Sequence, residues 1–222
     1  MKEEIILKNE WIKRYELTAV SNFKYYKIAG CFILGFELVR TQCEIQPHFV
    51  LYPLWKKDIK TNMQFPYILH CINDSRGINY QISISEMLKQ KEAIFLDIER
   101  VVGFDLTKNI SKEDILKIVE QEQYSKMYVD NPYHQGILSE LKIYMSVYVN
   151  DKDLYKQTIA EIDDIYRRIN RNIFKYWFGD FYTWKNNLEL TFDKRQDILK
   201  TIRENIANCK IKTEVQIVDW DE

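Results

Sequence analysis

Residues 27–40 read Lys-Ile-Ala-Gly-Cys-Phe-Ile-Leu-Gly-Phe-Glu-Leu-Val-Arg, an apolar run holding two glycines and closing on a carboxylate. In an extended chain Ile28, Phe32, Leu34, Phe36 and Leu38 share one side, and Ala29, Cys31, Ile33 and Val39 the other. A strand apolar on both sides is covered on both faces, so this stretch predicts a central strand at least as far as Glu37. Working outward, residues 43–55 alternate, with Ile45, Phe49, Leu51 and Trp55 opposed to Glu44, Gln46 and His48. Pro47 and Pro53 lack the ladder N–H and push that strand toward an edge or a bulge. A polar loop over 56–64 leads to a short strand at 67–72 and the turn Asn73–Gly77. Ile78, Tyr80, Ile82 and Ile84 then alternate with polar residues, the clearest half-buried strand pattern in the chain. Short connections between four such strands predict a mainly antiparallel sheet over about 27–85. Residues 3–20 predict an N-terminal helix.

Beyond residue 85 the period becomes helical. A helix over 86–102 stops at Gly103, and Ser111-Lys112-Glu113-Asp114 resembles a capping box opening the next one. Asn131-Pro132 places a capping side chain before proline at the first helical position. From Asn150 the positions Tyr155, Ile159, Ile162, Tyr166, Ile169, Ile173 and Tyr176 follow a heptad, predicting one helix of roughly 39 Å. Asp193 opens a last helix through Ile206, and residues 211–218 alternate again as a C-terminal strand. Strands first and helices second define an α+β fold. The expected organisation is one domain over 1–222, with a sheet-rich part at 1–85 and a helix-rich part at 86–222.

The 222 residues include 32 basic and 33 acidic side chains, for a formal charge of −1. Neither half hides a basic block: 15 basic face 13 acidic residues before residue 111, and 17 face 20 after it. That balance disfavours a nucleic-acid-coating protein. The start, MKEEIILKNE, lacks the basic n-region and apolar core of a secretion signal, and no run reaches the roughly 18–20 apolar residues of a membrane span. Four unclustered cysteines fit a reducing compartment, so a cytoplasmic location is expected. The abundance of Lys, Ile, Asn and Tyr points to an AT-rich bacterial genome.

Six glycines build neither standard phosphate loop. His48 and His70 are the nearest approach to metal ligands, sharing a face if their strands pair, but no third ligand stands at a familiar spacing. No metal and no cofactor are therefore expected. Asp97-Ile98-Glu99-Arg100, with Glu37, is the nearest string to a nuclease motif, yet its acids lie in a helix and its lysine is an arginine. The Arg167–Lys175 cations are matched by Asp163 and Asp164 four residues earlier.

Two aromatic features remain. Residues 174–184 hold seven aromatics around Gly179-Asp180, including Trp177 and Trp184, and the chain ends Asp219-Trp220-Asp221-Glu222. Exposed tryptophans are the residue type that anchors interfaces. The expected function is a non-catalytic bacterial cytosolic protein that binds another protein, as an immunity-type or accessory subunit. Trp220, Asp219, Asp221, Trp177 and Trp184 are its expected contacts. The alternative is a metal-dependent nuclease or other hydrolase whose site assembles only in three dimensions. The heptad leaves a homo-oligomer open.

Overall fold

The computed structural model describes residues 2–215 and 217–218. The chain opens with α1 (Lys2–Tyr15), whose Leu7, Trp11 and Tyr15 form a buried stripe at intervals of four. Strands β1 (Thr18–Ser21), β2 (Lys24–Ala29), β3 (Phe32–Thr41) and β4 (Glu44–Pro53), a turn of helix α2 (Ile59–Asn62) and β5 (Ile68–Cys71) come next. Helices α3 (Ile84–Lys89) and α4 (Lys91–Val102) precede the short β6 (Ile110–Ser111) and α5 (Lys112–Gln123). Then come α6 (Pro132–Tyr148), α7 (Lys152–Arg168), α8 (Arg171–Phe178), α9 (Phe181–Glu189) and α10 (Arg195–Asn208). The chain returns as β7 (Glu214–Val215) and β8 (Ile217–Val218). The fold is α+β: an N-terminal helix, an antiparallel sheet ordered β1-β2-β3-β4-β5, a run of helices and a C-terminal strand.

Several elements differ from the sequence pattern, each for a local reason. Residues 27–40 form two strands rather than one, because Gly30 takes φ +54° and turns the chain into an antiparallel β2–β3 hairpin. β4 is not at an edge; it lies between β3 and β5. Its Pro47 supplies no N–H to Ile72, and the Ile72 carbonyl accepts from the Tyr80 N–H at 3.2 Å instead. The alternating residues 78–85 make only isolated bridges, Asn73 with Asn79 and Ile45 with Ile82, because β5 already occupies β4 at His48–Leu51. Ser83 then caps α3 by accepting from the Glu86 N–H, so Ile84 belongs to a helix.

The heptad does not continue as one helix either. Ile169 is extended and the Asn170 side chain accepts from the N–H groups of Asn172 and Ile173, starting α8 afresh. Residues 86–102 likewise break at Gln90 into α3 and α4. α10 starts from Lys194 without a side-chain cap, so Asp193 does not serve as one. The capping box at Ser111 and Asp114, the Asn131 cap before Pro132 and the αL stop at Gly103 form as the sequence implies. The C-terminal strand divides in two, β7 running parallel to β2 and β8 parallel to β6.

Register decides which side chains share a sheet face, since directly opposed residues point the same way. Tyr25, Phe36 and Phe49 stand in one row. α1 and α4 cover them, with Trp11 set edge-on against Phe36 and Phe95. The second face carries Tyr26, Glu37, His48, Val50, Tyr52 and Cys71. A further cluster joins α6, α7, α8 and α9 through Ile143, Ile162, Ile165, Phe174, Phe181 and Trp184. Glu140 on α6 ties the helices to the sheet side, accepting from Tyr67 Oη at 2.6 Å and Trp184 Nε1 at 2.9 Å.

Candidate functional site

Glu37, the carboxylate that closes the apolar run, is the centre of a polar group on the second sheet face. It accepts from Tyr26 Oη and Tyr52 Oη at 2.5 Å each, and Lys24 Nζ lies 3.0 Å away. Burial raises the carboxyl's affinity for a proton, but the three donors outweigh it and hold Glu37 below its ordinary value. Burial and the hydrogen bond to Glu37 push Tyr26 well above the phenol range. The carboxylate is charged and fully engaged, which makes the group a lock across β2, β3 and β4.

His48 sits beside Glu37 in register and opposite Cys71 on β5, whereas His70 opposes Phe49. The two histidines therefore do not share a face, which corrects that expectation, although both border one cleft at the β5 edge. His48 is held below its ordinary value by burial, and its Nδ1 lies 3.2 Å from the Gln46 carbonyl. His70 Nδ1 is bonded to the carboxylate of Glu122 on α5. The Cys71 thiol is raised by burial and accepts from Gln46 Nε2 at 3.0 Å, so it is a protonated thiol at neutral pH. These residues line a cleft of about 490 Å³ at the β5 edge, walled on its far side by Glu122, Ser125, Met127 and Tyr128. Among the described residues, no group of three His, Cys, Asp or Glu side chains is arranged to hold a metal ion. Asp97 accepts from Tyr80 Oη at 2.6 Å and Glu99 pairs with Arg14 at 2.6 Å, away from Glu37.

Lys27 is a second buried charge. Its side chain is fully enclosed on the covered face, donates to the Leu106 carbonyl at 2.7 Å, and makes no ion pair among the described residues. Burial lowers its affinity for a proton, against the pull of Glu16 and Asp105. Because the folded value is lowered, the charged form costs stability below it, and that cost fades as pH rises toward the ordinary lysine value of 10.5. Lys27→Met is expected to stabilise the protein by about 1–3 kcal/mol at pH 7. The gain should narrow steadily toward pH 10 in urea titrations. A variant less stable than wild type at pH 7, or a gap that ignores pH, contradicts this.

The aromatic corner divides into an inner and an outer part. Phe174, Phe181 and Trp184 are buried, and Trp184 is held by Glu140. Trp184 is thus a core residue and leaves the set of expected contacts. On α8, Ile173, Tyr176 and Trp177 fall at i, i+3 and i+4 on one face and are 47%, 80% and 54% exposed. Trp177 rests one side on Tyr133, with ring centroids 4.7 Å apart. Arg171, over the Tyr166 ring, and Lys175 lie on the other side of this helix. Trp220, Asp219 and Asp221 lie outside the described residues.

Sequence reading found Trp177, whose aromatic neighbours marked it, but missed Tyr176 and Ile173. It assigned both to a heptad seam, where they would be inside. It missed Glu122, Ser125 and Tyr128 altogether, since only the fold brings them to β5. Compared with known protein families, curated proteins and solved structures, the chain matches none. No described helix is long and apolar enough to cross a membrane.

Proposed function

We propose that this chain is a non-catalytic protein-binding protein of the bacterial cytosol, an immunity-type or accessory subunit that docks through the outer face of α8. The observation that carries the reading is the trio Ile173, Tyr176 and Trp177, adjacent on one short helix and left in solvent. Single exposed apolar residues are ordinary; a contiguous Trp–Tyr–Ile face is the composition of an interface anchor. All four cysteines are free, in keeping with a reducing compartment.

The test compares affinity capture from native cells at low salt by wild type and by a Tyr176→Ser/Trp177→Ser variant, with mass spectrometry of both eluates. Proteins recovered by wild type should be lost from the variant, each anchor contributing about 2 kcal/mol or more to binding. The variant's melting temperature should stay close to wild type, since both side chains are solvent-facing. Equal recovery by the two, or nothing recovered by either, refutes the docking face.

A further inference from the structure

The outer edge of β5 is open, and its register says which groups it offers. The Ile72 N–H donates to the Pro47 carbonyl at 3.0 Å, which sets the alternation of the β4–β5 ladder. Ile68, His70 and Ile72 turn their main chain inward to β4, while Leu69 and Cys71 turn N–H and C=O outward. Among the described residues no strand pairs with that side, and no other main-chain bond takes those four groups. Natural sheets blunt such an edge by keeping it short, or with lysine, proline, a bulge or a covering element. β5 is short, four residues reading Ile-Leu-His-Cys, but holds no lysine, proline or bulge.

The edge also has an opposite wall. Leu69, His70 and Cys71 border the cleft of about 490 Å³, and across it stand Glu122, Ser125 and Met127. The Ser125 hydroxyl is buried there without a hydrogen-bond partner. Leu69 and Met127 are both exposed, giving the cleft apolar lips over a polar floor. A slot walled by unpaired main-chain donors and acceptors is complementary to one thing above all, another extended main chain.

We propose that this cleft takes an extended peptide segment of a partner protein, which adds to β5 as a further strand. Among the described residues Glu122, bonded to His70, is the only carboxylate in the lining and no lysine or arginine lines it, so an acidic residue is the one the peptide does not present there. The site is separate from the α8 face and does not depend on it.

The experiment pans a phage-displayed library of random linear peptides against the wild-type protein and measures binding of synthetic copies of the peptides selected. Leu69→Pro removes an outward N–H that the sheet does not use, and should weaken binding about tenfold or more. Leu69→Ser keeps the N–H and should keep binding, as should Trp177→Ala. In the wild type, amide hydrogen exchange at Leu69 and Cys71 should slow on peptide addition, a readout that stands even if Leu69→Pro folds poorly. Failure to select any peptide overturns the proposal. So do peptides that leave the Leu69 and Cys71 amides unprotected. Sedimentation showing a dimer that Leu69→Pro abolishes would assign the edge to a second copy of this chain and overturn it as well.

Discussion

Gly35→Ala is expected to yield no folded protein. A Cβ built on Gly35 lies 2.1 Å from the Tyr25 carbonyl oxygen and 2.9 Å from the Tyr26 Cα. Both obstacles are backbone of β2, the strand that pairs with β3 through this register, so neither can rotate aside. Gly35 also takes φ +152°, a conformation that a residue with a Cβ rarely adopts. Relief needs the two central strands to part, which breaks the rows Tyr25–Phe36 and Tyr26–Gly35 together. A cost above about 4–5 kcal/mol follows, a large part of a total that is typically 5–15 kcal/mol. Gly77→Ala is the control: its φ is also positive, at +81°, but nothing lies within 4 Å of the added carbon. That variant should lose only about 1–2 kcal/mol. Circular dichroism and a urea midpoint on both proteins decide the matter, and a cooperative, near-native Gly35→Ala protein would show the β2–β3 approach to be wrong.

Trp11→Ala carries the next largest effect. Trp11 is almost fully buried, edge-on to Phe36 at 4.9 Å and to Phe95 at 5.6 Å, with Tyr15 and Tyr25 each at 6.3 Å. With Tyr15, which also stands against Phe36 and Phe95, it joins α1 to the sheet and to α4. Truncation removes a large apolar surface and leaves a cavity walled by rings that cannot collapse into it. The expected loss is about 3–5 kcal/mol in urea denaturation. Trp11→Phe should recover much of that, because the edge-on contacts need only an aromatic ring. A loss under about 1 kcal/mol for the alanine variant would mean that α1 is not part of the core.

The α+β class was legible in the sequence because the period changes from two to helical near residue 85, and that change survives local errors. What misled was punctuation that period alone does not see. Gly30 divides an apolar run that would otherwise read as one strand, and Asn170 divides a heptad that would otherwise read as one helix. Residues 78–85 have strand periodicity, but β5 holds β4 at His48–Leu51 and leaves them only a bridge at Ile45. Strand identity is therefore a property of the neighbour as much as of the segment. The candidate sites show the same limit. Trp177 could be read from seven clustered aromatics, but not its separation from Trp184. That depends on which helix face meets Phe174 and on Glu140 standing by. The β5 cleft was invisible because its walls come from β4, β5 and the α5–α6 connection. Glu37 stands out in the sequence as the carboxylate that closes an apolar run, but its bonds to Tyr26 and Tyr52 follow only from the register.

The parallel pairing of β7 with β2 has a consequence in time. Ile28 leaves the ribosome long before its partner Glu214. At synthesis rates of about 5–20 residues per second, β2 waits roughly 10–40 s for that neighbour. The β1–β2–β3–β4 meander can close early, since its turns are short, but the margin of β2 at Ile28 and Ala29, beyond the reach of β1, stays unpaired throughout that interval. The nascent chain therefore carries that open margin until β7 has been made. β7 acts as a clasp, so closure of this corner of the sheet waits on a segment made long after the strand it grips, rather than on the formation of the core.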